Sequence, residues 1–182
     1  MLFKIGYIDD ISDNQYESIY ANLTPSRKER IDKYKKQDDR KRSLMATYLL
    51  NQLLLQTGND HLEINSDSSG KPYVKDEGLF ISISHSEKAV ACALSDRKIG
   101  IDIEKIKPVT PGLIEYVCTE KEKNFVLSDN NEIERRFFAI WTAKEAFFKK
   151  DNADIKNLCK IDAFLFEKQT FMENDYMITI VE

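Results

Sequence analysis

Hydrophobic and polar positions along the chain predict a mixed protein of helices and short strands. Alternation or short apolar runs indicate strands, and recurrence every three to four residues indicates helices. Strands are predicted at 2–8, 79–85, 88–94 and 99–104, and helices at 44–55, 111–127 and 134–149. Two β-like runs, 161–166 and 176–181, follow. Thr24 and Pro25 are expected to open a further helix as its cap and first residue, and Gly58 is expected to end the helix at 44–55.

These elements divide into two similar sets. Each half of the 182-residue chain offers helices and about three strands, and no low-complexity linker separates the halves. The pattern therefore permits an α+β fold of two similar lobes. We place the N-terminal lobe at 1–98 and the C-terminal lobe at 99–182.

Composition and charge narrow the function classes. The net charge of -4 argues against a general nucleic-acid binder, which normally carries a basic excess. No stretch reaches the ~20 apolar residues of a membrane span, and the N-terminus turns acidic before a signal peptide could form. Three cysteines without metal-type spacing indicate reduced thiols, so a cytoplasmic protein with no nucleic-acid or membrane partner is expected.

The strand at 99–104 carries two acids on one face. Because side chains alternate along a strand, Asp102 and Glu104 point to one face while Ile99, Ile101 and Ile103 point to the other. This pattern is typical of a half-buried strand that shows acids to water. It also suits a pair of oxygen ligands for a hard cation such as Mg²⁺.

The helix at 134–149 places Glu145 and Lys149 on one stripe beside a row of aromatic residues. Alone, this pair is typical of an i,i+4 salt bridge, which contributes ~0.2–0.5 kcal/mol. If Glu145 converged with Asp102 and Glu104, the carboxylates would repel one another by about 4 kcal/mol per pair at an effective dielectric constant of 20. Such a cluster would call for a cation, and Mg²⁺ bound in this way is usually shared with a phosphorylated substrate.

Two further segments suit phosphate binding. Ser84 and His85 end a predicted strand and could donate hydrogen bonds to phosphate, although a histidine there is more often structural. Residues 27–42 contain nine basic side chains against four acidic ones. This basic segment fits either a solvated helix face or a cluster of phosphate contacts.

Four ordered motifs together resemble the 4'-phosphopantetheinyl transferase superfamily, in its larger, two-lobed type that activates peptide and polyketide synthetases. They are Lys-Pro-Tyr from Lys71, Ser-His-Ser from Ser84, Gly-Ile-Asp-Ile-Glu from Gly100, and Trp-Thr-Ala-Lys-Glu-Ala-Phe-Phe-Lys from Trp141. The resemblance implies a monomer of two pseudo-twofold lobes with coenzyme A in the cleft between them. It implies Mg²⁺-dependent transfer of phosphopantetheine to a serine of an acyl or peptidyl carrier protein, with Mn²⁺ also suited to the oxygen ligands.

The same resemblance assigns roles to residues. Asp102, Glu104 and Glu145 would bind the metal, with Glu145 also the candidate base and Lys149 a catalytic and phosphate-binding cation. The coenzyme A contacts would come from Arg27, Arg30, Arg42, Lys71, Ser84, His85 and Lys149.

Two departures from the family pattern leave alternatives open. No glycine-containing turn follows Lys149, and the chain ends at Glu182 soon after a β-like run, so a shortened C-terminal lobe is expected. One alternative is therefore a non-catalytic relative that binds coenzyme A or a carrier protein. The other is a Mg²⁺-dependent nuclease, since an Asp-x-Glu strand suits that chemistry too, but the acidic chain fits it poorly.

Overall fold

The computed structural model describes residues 1–59, 64–66, 72–75, 78–151 and 155–182, and the chain separates into two compact units. Unit 1 is Met1–Asp96 and unit 2 is Arg97–Glu182. The lobe boundary predicted from the sequence falls two residues later. Within the described residues, no helix has the length and apolar character needed to cross a membrane.

Unit 1 is a three-stranded antiparallel sheet with one long helix packed on it. The sheet has the order β1-β5-β4, and α3 packs against β1 and β5. Its helices are α1 (Asp13–Ala21), α2 (Pro25–Asp32) and α3 (Gln37–Gln56), and its strands are β1 (Leu2–Tyr7), β2 (Ile64–Ser66), β3 (Pro72–Val74), β4 (Phe80–Ser86) and β5 (Ala89–Ser95). Strands β2 and β3 form a separate antiparallel pair. The core includes Leu44, Leu50 and Leu54 of α3, facing Val90 and Cys92 of β5.

Unit 2 repeats this topology. Its sheet has the order β6-β8-β7, also antiparallel, and the long helix α6 packs against β6 and β8. Its helices are α4 (Pro111–Val117), α5 (Glu120–Leu127) and α6 (Ile133–Asp151), and its strands are β6 (Gly100–Lys105), β7 (Gln169–Glu173) and β8 (Tyr176–Val181). Two short 3-10 helices, Ile155–Lys160 and Ala163–Leu165, lie between α6 and β7.

The shared topology is a strand, a long helix and a hairpin whose last strand takes the middle of the sheet. Both hairpins turn through two residues, and the first of these, Glu87 or Asn174, has a positive φ. Such a backbone matches the twist of the paired strands. The fold is therefore α+β, with two units of similar architecture, as the sequence predicts.

Most predicted elements are confirmed to within a residue or two, including β1, β4, β5, β6, α6 and β8. Thr24 is the N-cap residue of α2 with Pro25 first in the helix, although the Thr24 side chain makes no capping hydrogen bond. The helix predicted at 44–55 begins earlier, at Gln37. Gly58 follows the end of α3 with a φ of 73°, as a C-terminal glycine should.

Two predictions about unit 2 are wrong. The single helix expected at 111–127 is two helices, because the Thr119 hydroxyl caps the N–H of Glu122 while the Glu122 carboxylate caps the N–H of Thr119. The β-like run at 161–166 instead contains a 3-10 helix, which starts where the Asp162 carboxylate accepts the N–H of Phe164. The strand in this part of the sheet is β7, which the pattern did not predict.

Candidate functional site

The first candidate site lies where α6 crosses β6 in unit 2. A Cβ atom built on Gly100 would lie 1.8 Å from the carbonyl oxygen of Ala146, so only glycine lets the two backbones approach so closely. Because side chains alternate along the strand, Asp102 and Glu104 share the face on which Gly100 meets α6. The acids of β6 therefore face the helix, and Asp102 is 3% exposed.

Asp102 pairs with a lysine of α6. Its Oδ1 atom accepts a hydrogen bond from Lys149 Nζ at 2.6 Å, and the lysine side chain is 29% exposed. A buried carboxylate is costly unless a cation or several donors stabilise it. Lys149 supplies that cation, and its partial exposure leaves it within reach of a ligand in solvent.

Glu145 joins the same cluster. Burial raises the pKa of the Glu145 carboxyl, and the charges of Asp102 and Glu104 raise it further, while Lys149 opposes the shift. Asp102, Glu104 and Lys149 therefore each lie within electrostatic range of Glu145. The structure thus brings together the three predicted metal ligands and the predicted catalytic lysine.

A chain of threonine hydroxyls fastens α6 to the sheet beside this cluster. Thr142 donates to the carbonyl of Phe138 at 2.8 Å, and its oxygen lies 2.7 Å from Thr179 Oγ1, which lies 3.0 Å from Thr170 Oγ1. Since each hydroxyl has one proton, Thr179 must donate to Thr142 and Thr170 to Thr179. Thr179 also stands opposite Asp102 in the register of β8 with β6, so the chain of hydroxyls fixes the helix next to the acid.

The carboxylates of Asp102, Glu104 and Glu145 suit a hard cation, but in this structure Lys149 already pairs with Asp102. All three carboxylates offer oxygen ligands of the kind Mg²⁺ prefers. Among the residues that the structure describes, no group of three or more His, Cys, Asp or Glu side chains is arranged to hold a metal ion. Lys149 bonds one oxygen of Asp102, so a metal held by Asp102 through that oxygen would require Lys149 to move.

The second candidate site is a cavity of about 200 Å³ in unit 1. Four residues predicted to contact coenzyme A line it: Arg27, Arg30, Arg42 and His85. The other described residues that line it are Tyr34, Asp39, Ser43, Ala46, Pro72 and Ile83. Three guanidinium groups and an imidazole in one small cavity suit a phosphate, for which arginine gives two parallel hydrogen bonds.

Hydrogen bonds to residues of α3 hold Arg27 in this cavity. It is 8% exposed, and its Nη2 atom donates to Thr47 Oγ1 at 2.5 Å and to the carbonyl of Ser43 at 3.3 Å. Burial lowers the pKa of the Arg27 guanidinium, and the charge of Arg30 lowers it further. Its Nε atom is buried and has no hydrogen-bond partner among the described residues. Arg27 is therefore not part of a solvated helix face, which was one of the two interpretations of the basic segment.

Arg42 is oriented in a similar way. Its Nη2 atom pairs with Asp39, and its Nη1 atom donates to the carbonyl of Glu87 at 2.5 Å. The Nε atom of Arg42 is again buried with no partner in the described part of the chain. Two arginines thus have a buried N–H group that no described residue accepts.

Ser84 is not among the described residues that line this cavity. Ser84 neighbours His85 on β4, so its side chain points to the opposite face of the sheet, where it is buried. Lys71 lies outside the described residues, although the next residue, Pro72, lines the cavity.

One buried ion pair in unit 2 was not predicted from the sequence. Lys144 and Glu122 are both fully buried, with Lys144 Nζ 2.6 Å from Glu122 Oε2. Lys144 also donates to the carbonyls of Val117 and Leu158, and Glu122 accepts the N–H groups of Thr119 and Ala163. The pair ties α5 and the 3-10 segments to the helix that carries Glu145. A lysine on the aromatic side of α6 was the available signal for it.

Comparisons with known proteins cover both units. A family model described as the 4'-phosphopantetheinyl transferase superfamily matches residues 98–177, and one described as 4'-phosphopantetheinyl transferase, N-terminal, matches residues 10–97. Each candidate site falls within one of these matches.

Curated relatives are similar over most of this chain. The 4'-phosphopantetheinyl transferase gsp of Aneurinibacillus migulanus is 29% identical over 82% of the chain and 64% of its own length. The 4'-phosphopantetheinyl transferase Sfp of Bacillus subtilis is 27% identical over 80% of the chain and 67% of its own length. A putative 4'-phosphopantetheinyl transferase of Haemophilus influenzae is 30% identical over 71% of the chain and 58% of its own length. The chain thus spans about two thirds or less of the length of these relatives.

Proposed function

We propose that this chain, which belongs to the 4'-phosphopantetheinyl transferase superfamily, transfers phosphopantetheine from coenzyme A to a serine of an acyl or peptidyl carrier protein. The names of its relatives support this class of reaction. The observation that carries the proposal is the buried pair of Asp102 and Lys149 in unit 2, which lies within electrostatic range of Glu145. Such a cluster of acids with one partly exposed cation is unusual in a purely structural role.

Asp102, Glu104 and Glu145 would hold Mg²⁺ together with phosphate oxygens of coenzyme A. When bound, the ion would neutralise charge on the pyrophosphate and on the leaving group. The oxygen-only donor set supports this assignment, and so does the pKa of Glu145, which burial raises and the nearby charges of Asp102 and Glu104 raise further.

The side chains of unit 2 supply the proton and charge chemistry of transfer. The serine oxygen of the carrier forms a bond to the phosphorus that bears pantetheine, and the bond from that phosphorus to 3',5'-ADP breaks. Glu145 accepts the serine proton, for which a carboxylate with a raised pKa is better suited than an ordinary one. Lys149, once it releases Asp102, donates to a phosphate oxygen as negative charge develops there.

The cavity of unit 1 would bind a phosphate of coenzyme A. Arg27, Arg30, Arg42 and His85 line it, and the three guanidinium groups support an anionic occupant. Its volume of about 200 Å³ suits the 3'-phosphate and part of the ribose rather than the whole molecule. Contacts from Lys71 and Ser84 remain predictions from the family resemblance.

The direct test is intact-protein mass spectrometry of an apo carrier protein incubated with this chain, coenzyme A and Mg²⁺. We expect a mass gain of one phosphopantetheine, which EDTA abolishes and excess Mg²⁺ restores. Binding of coenzyme A without any gain, across acyl and peptidyl carriers, would instead support the non-catalytic alternative.

Asp102→Ala tests the metal assignment within the same assay. It should abolish transfer, because it removes a predicted ligand and the partner of Lys149. Asp151→Ala is the matched control. Asp151 also pairs with a lysine, Lys98, at 3.8 Å, but this pair lies outside the cluster of Asp102, Glu104, Glu145 and Lys149. Full transfer by Asp102→Ala at saturating Mg²⁺ would refute the assignment.

A further inference from the structure

One row of side chains crosses the sheet of unit 2 beneath α6. Thr170 of β7 stands opposite Thr179 of β8, and Thr179 stands opposite Asp102 of β6. Because directly opposed residues of antiparallel strands share a face, all three side chains lie on the face that α6 covers. Two of them bond the helix. Asp102 accepts from Lys149, and Thr179 Oγ1 lies 2.7 Å from Thr142 Oγ1, so the row holds α6 at two residues on one stripe, two turns apart.

The bond between Thr179 and Thr142 is obligatory in the folded protein. Both residues are 0% exposed, so neither hydroxyl can turn to bulk water. The Thr142 hydroxyl gives its one proton to the carbonyl of Phe138, within its own helix. Thr179 is therefore the donor of the bond between sheet and helix, and a buried donor left unsatisfied is costly. That cost keeps the link closed as long as unit 2 is folded.

A second contact fixes α6 one turn further along. Gly100 of β6 lies so close to Ala146 that a Cβ atom on the glycine would be 1.8 Å from the Ala146 carbonyl oxygen. Thr142 and Ala146 are thus held by different strands, β8 and β6. Two such points set both the place of the helix along the sheet and its rotation about its own axis. Glu145 lies between them, and Lys149 follows about one turn later.

The hydroxyl bond differs in kind from the apolar packing around it. The hydrophobic effect has no preferred direction and depends on the area buried, whereas a hydrogen bond weakens steeply outside a narrow range of distance and angle. A hydroxyl bond beside a reaction centre therefore limits small displacements that packing would allow. Reacting groups depend on such limits, because a displacement of about 1 Å can slow a reaction by about a hundredfold.

We propose that Thr179 is a positioning residue for the transfer reaction. Through its bond to Thr142 it sets where α6 presents Glu145 and Lys149 to the row that contains Asp102. The inference rests on the function proposed above, because that function gives Glu145 and Lys149 their roles. Thr179 itself takes no part in the chemistry, since its proton is held in the bond to the helix.

Two substitutions of Thr179 separate position from stability. Thr179→Val keeps the branched shape and removes the hydroxyl. It leaves no buried donor unsatisfied, because Thr142 still donates within its own helix and the exposed Thr170 can donate to water. Its urea midpoint, followed by Trp141 fluorescence, should stay near that of the parent. Thr179→Ser keeps the hydroxyl but removes a buried methyl group, so its midpoint should fall.

Transfer should follow the hydroxyl rather than the stability. We expect Thr179→Val to lower kcat about tenfold and to leave the KM for coenzyme A unchanged, because the chemical step is what the displaced groups serve. Thr179→Ser should keep most of the parent's kcat although it is the less stable variant. Thr170→Val is the matched control. It makes the same change at the next residue of the row but leaves the bond from Thr179 to Thr142 intact, so its kcat should match the parent's.

A second measurement needs no turnover. The backbone amide signals of α6 are compared by nitrogen-15 NMR in the parent and the three variants. A helix that moves as one body carries the amides of Glu145 and Lys149 with it, so Thr179→Val should shift both signals. In Thr170→Val the changes should stay on β7 and β8, because the helix keeps its link to Thr179.

The outcomes separate the positioning role from the proposed function. Parent-like kcat in Thr179→Val would overturn the inference, and so would an equal loss of kcat in Thr179→Ser or Thr170→Val. Amide changes in Thr179→Val that stop short of Glu145 would overturn it whatever the kinetics. A parent chain that transfers nothing would refute the function alone. The amide signals then decide, and changes that reach Lys149 would sustain Thr179 as the residue that places this part of α6.

Discussion

The buried pair of Lys144 and Glu122 offers a quantitative test of how unit 2 is held together. Replacing Lys144 with Met keeps a long, flexible apolar side chain but removes three hydrogen bonds, of 2.6, 2.7 and 3.0 Å. Glu122 would then keep only the N–H groups of Thr119 and Ala163, and the carbonyls of Val117 and Leu158 would lose a donor. Breaking a fully buried pair from one side typically costs about 3–5 kcal/mol, because an uncompensated charge stays behind.

Trp141 makes the loss measurable. It is the only tryptophan in the chain and lies on α6, one turn from Lys144, so its fluorescence follows the unfolding of unit 2. With a urea m-value of about 2 kcal/mol per molar, a loss near 4 kcal/mol lowers the midpoint by about 2 M. Lys123→Met is the control: this lysine of α5 pairs with the exposed carboxylates of Glu115 and Glu120, so its midpoint should shift far less.

The double variant Lys144→Met with Glu122→Gln separates charge from packing. It buries no net charge, so its free energy of unfolding should exceed that of Lys144→Met by at least about 1 kcal/mol. Two results would refute this account. One is a Lys144→Met midpoint no lower than that of Lys123→Met, and the other is a double variant as unstable as the sum of its single changes.

Three further predictions concern other parts of the chain. Gly100→Ala places a Cβ against the backbone of α6, so it should lower the urea midpoint of unit 2 and abolish transfer, whereas Gly112→Ala, which meets nothing within 4 Å, should do neither. The hydrogen bond from Lys88 lowers the pKa of Asp38, so the stability from this pair is complete above pH 3.8 and is lost as pH falls through the lowered pKa. Asp38→Asn should therefore flatten the acid limb of the stability curve, and an unchanged limb in urea titrations would contradict it. Of the three thiols only Cys159 is exposed, and burial raises the pKa of Cys118 to about 12, so Ellman's reagent should count one thiol in the native protein and three in denaturant.

The sequence predicted best where hydrophobic periodicity is strong. Strands β4, β5 and β6 and helix α6 have apolar runs or stripes that leave little choice of element or face. It failed where a local hydrogen bond outweighs periodicity. Thr119 and Glu122 form a Thr-x-x-Glu capping box, a signal present in the sequence, and it breaks a helix that hydrophobic spacing alone would continue.

Strand β7 shows a different limit of prediction from the sequence. Its sequence, Gln-Thr-Phe-Met-Glu, is largely exposed, because it forms the edge of the sheet and is hydrogen-bonded only to β8 among the described strands. Such a strand owes its conformation to the neighbour with which it pairs rather than to its own pattern. The turn at Asn174 brings this segment beside β8, and pairing with β8 makes it a strand.

The candidate site of unit 2 shows how far hydrophobic periodicity alone can predict a functional site. Alternation placed Asp102 and Glu104 on one face of β6, but it could not tell whether water or a helix covers that face. Gly100 decides this, since its contact with Ala146 brings α6 over the acids. A partnership between Glu145 and Lys149 on one helix was the ordinary expectation, yet Lys149 bonds Asp102 on the strand instead.

That difference changes how a substitution of Lys149 must be judged. A surface pair within one helix contributes ~0.2–0.5 kcal/mol, so losing it would barely affect folding. Removing the cation beside a carboxylate that is 3% exposed affects both folding and chemistry, and lost transfer in Lys149→Ala would not separate them. Lys149→Arg keeps a cation near Asp102 while altering the reach and geometry of the donor. If Lys149 acts on the phosphate, this variant should unfold at nearly the parent's urea concentration and yet transfer slowly, because only the chemical role depends on a single point charge at that position.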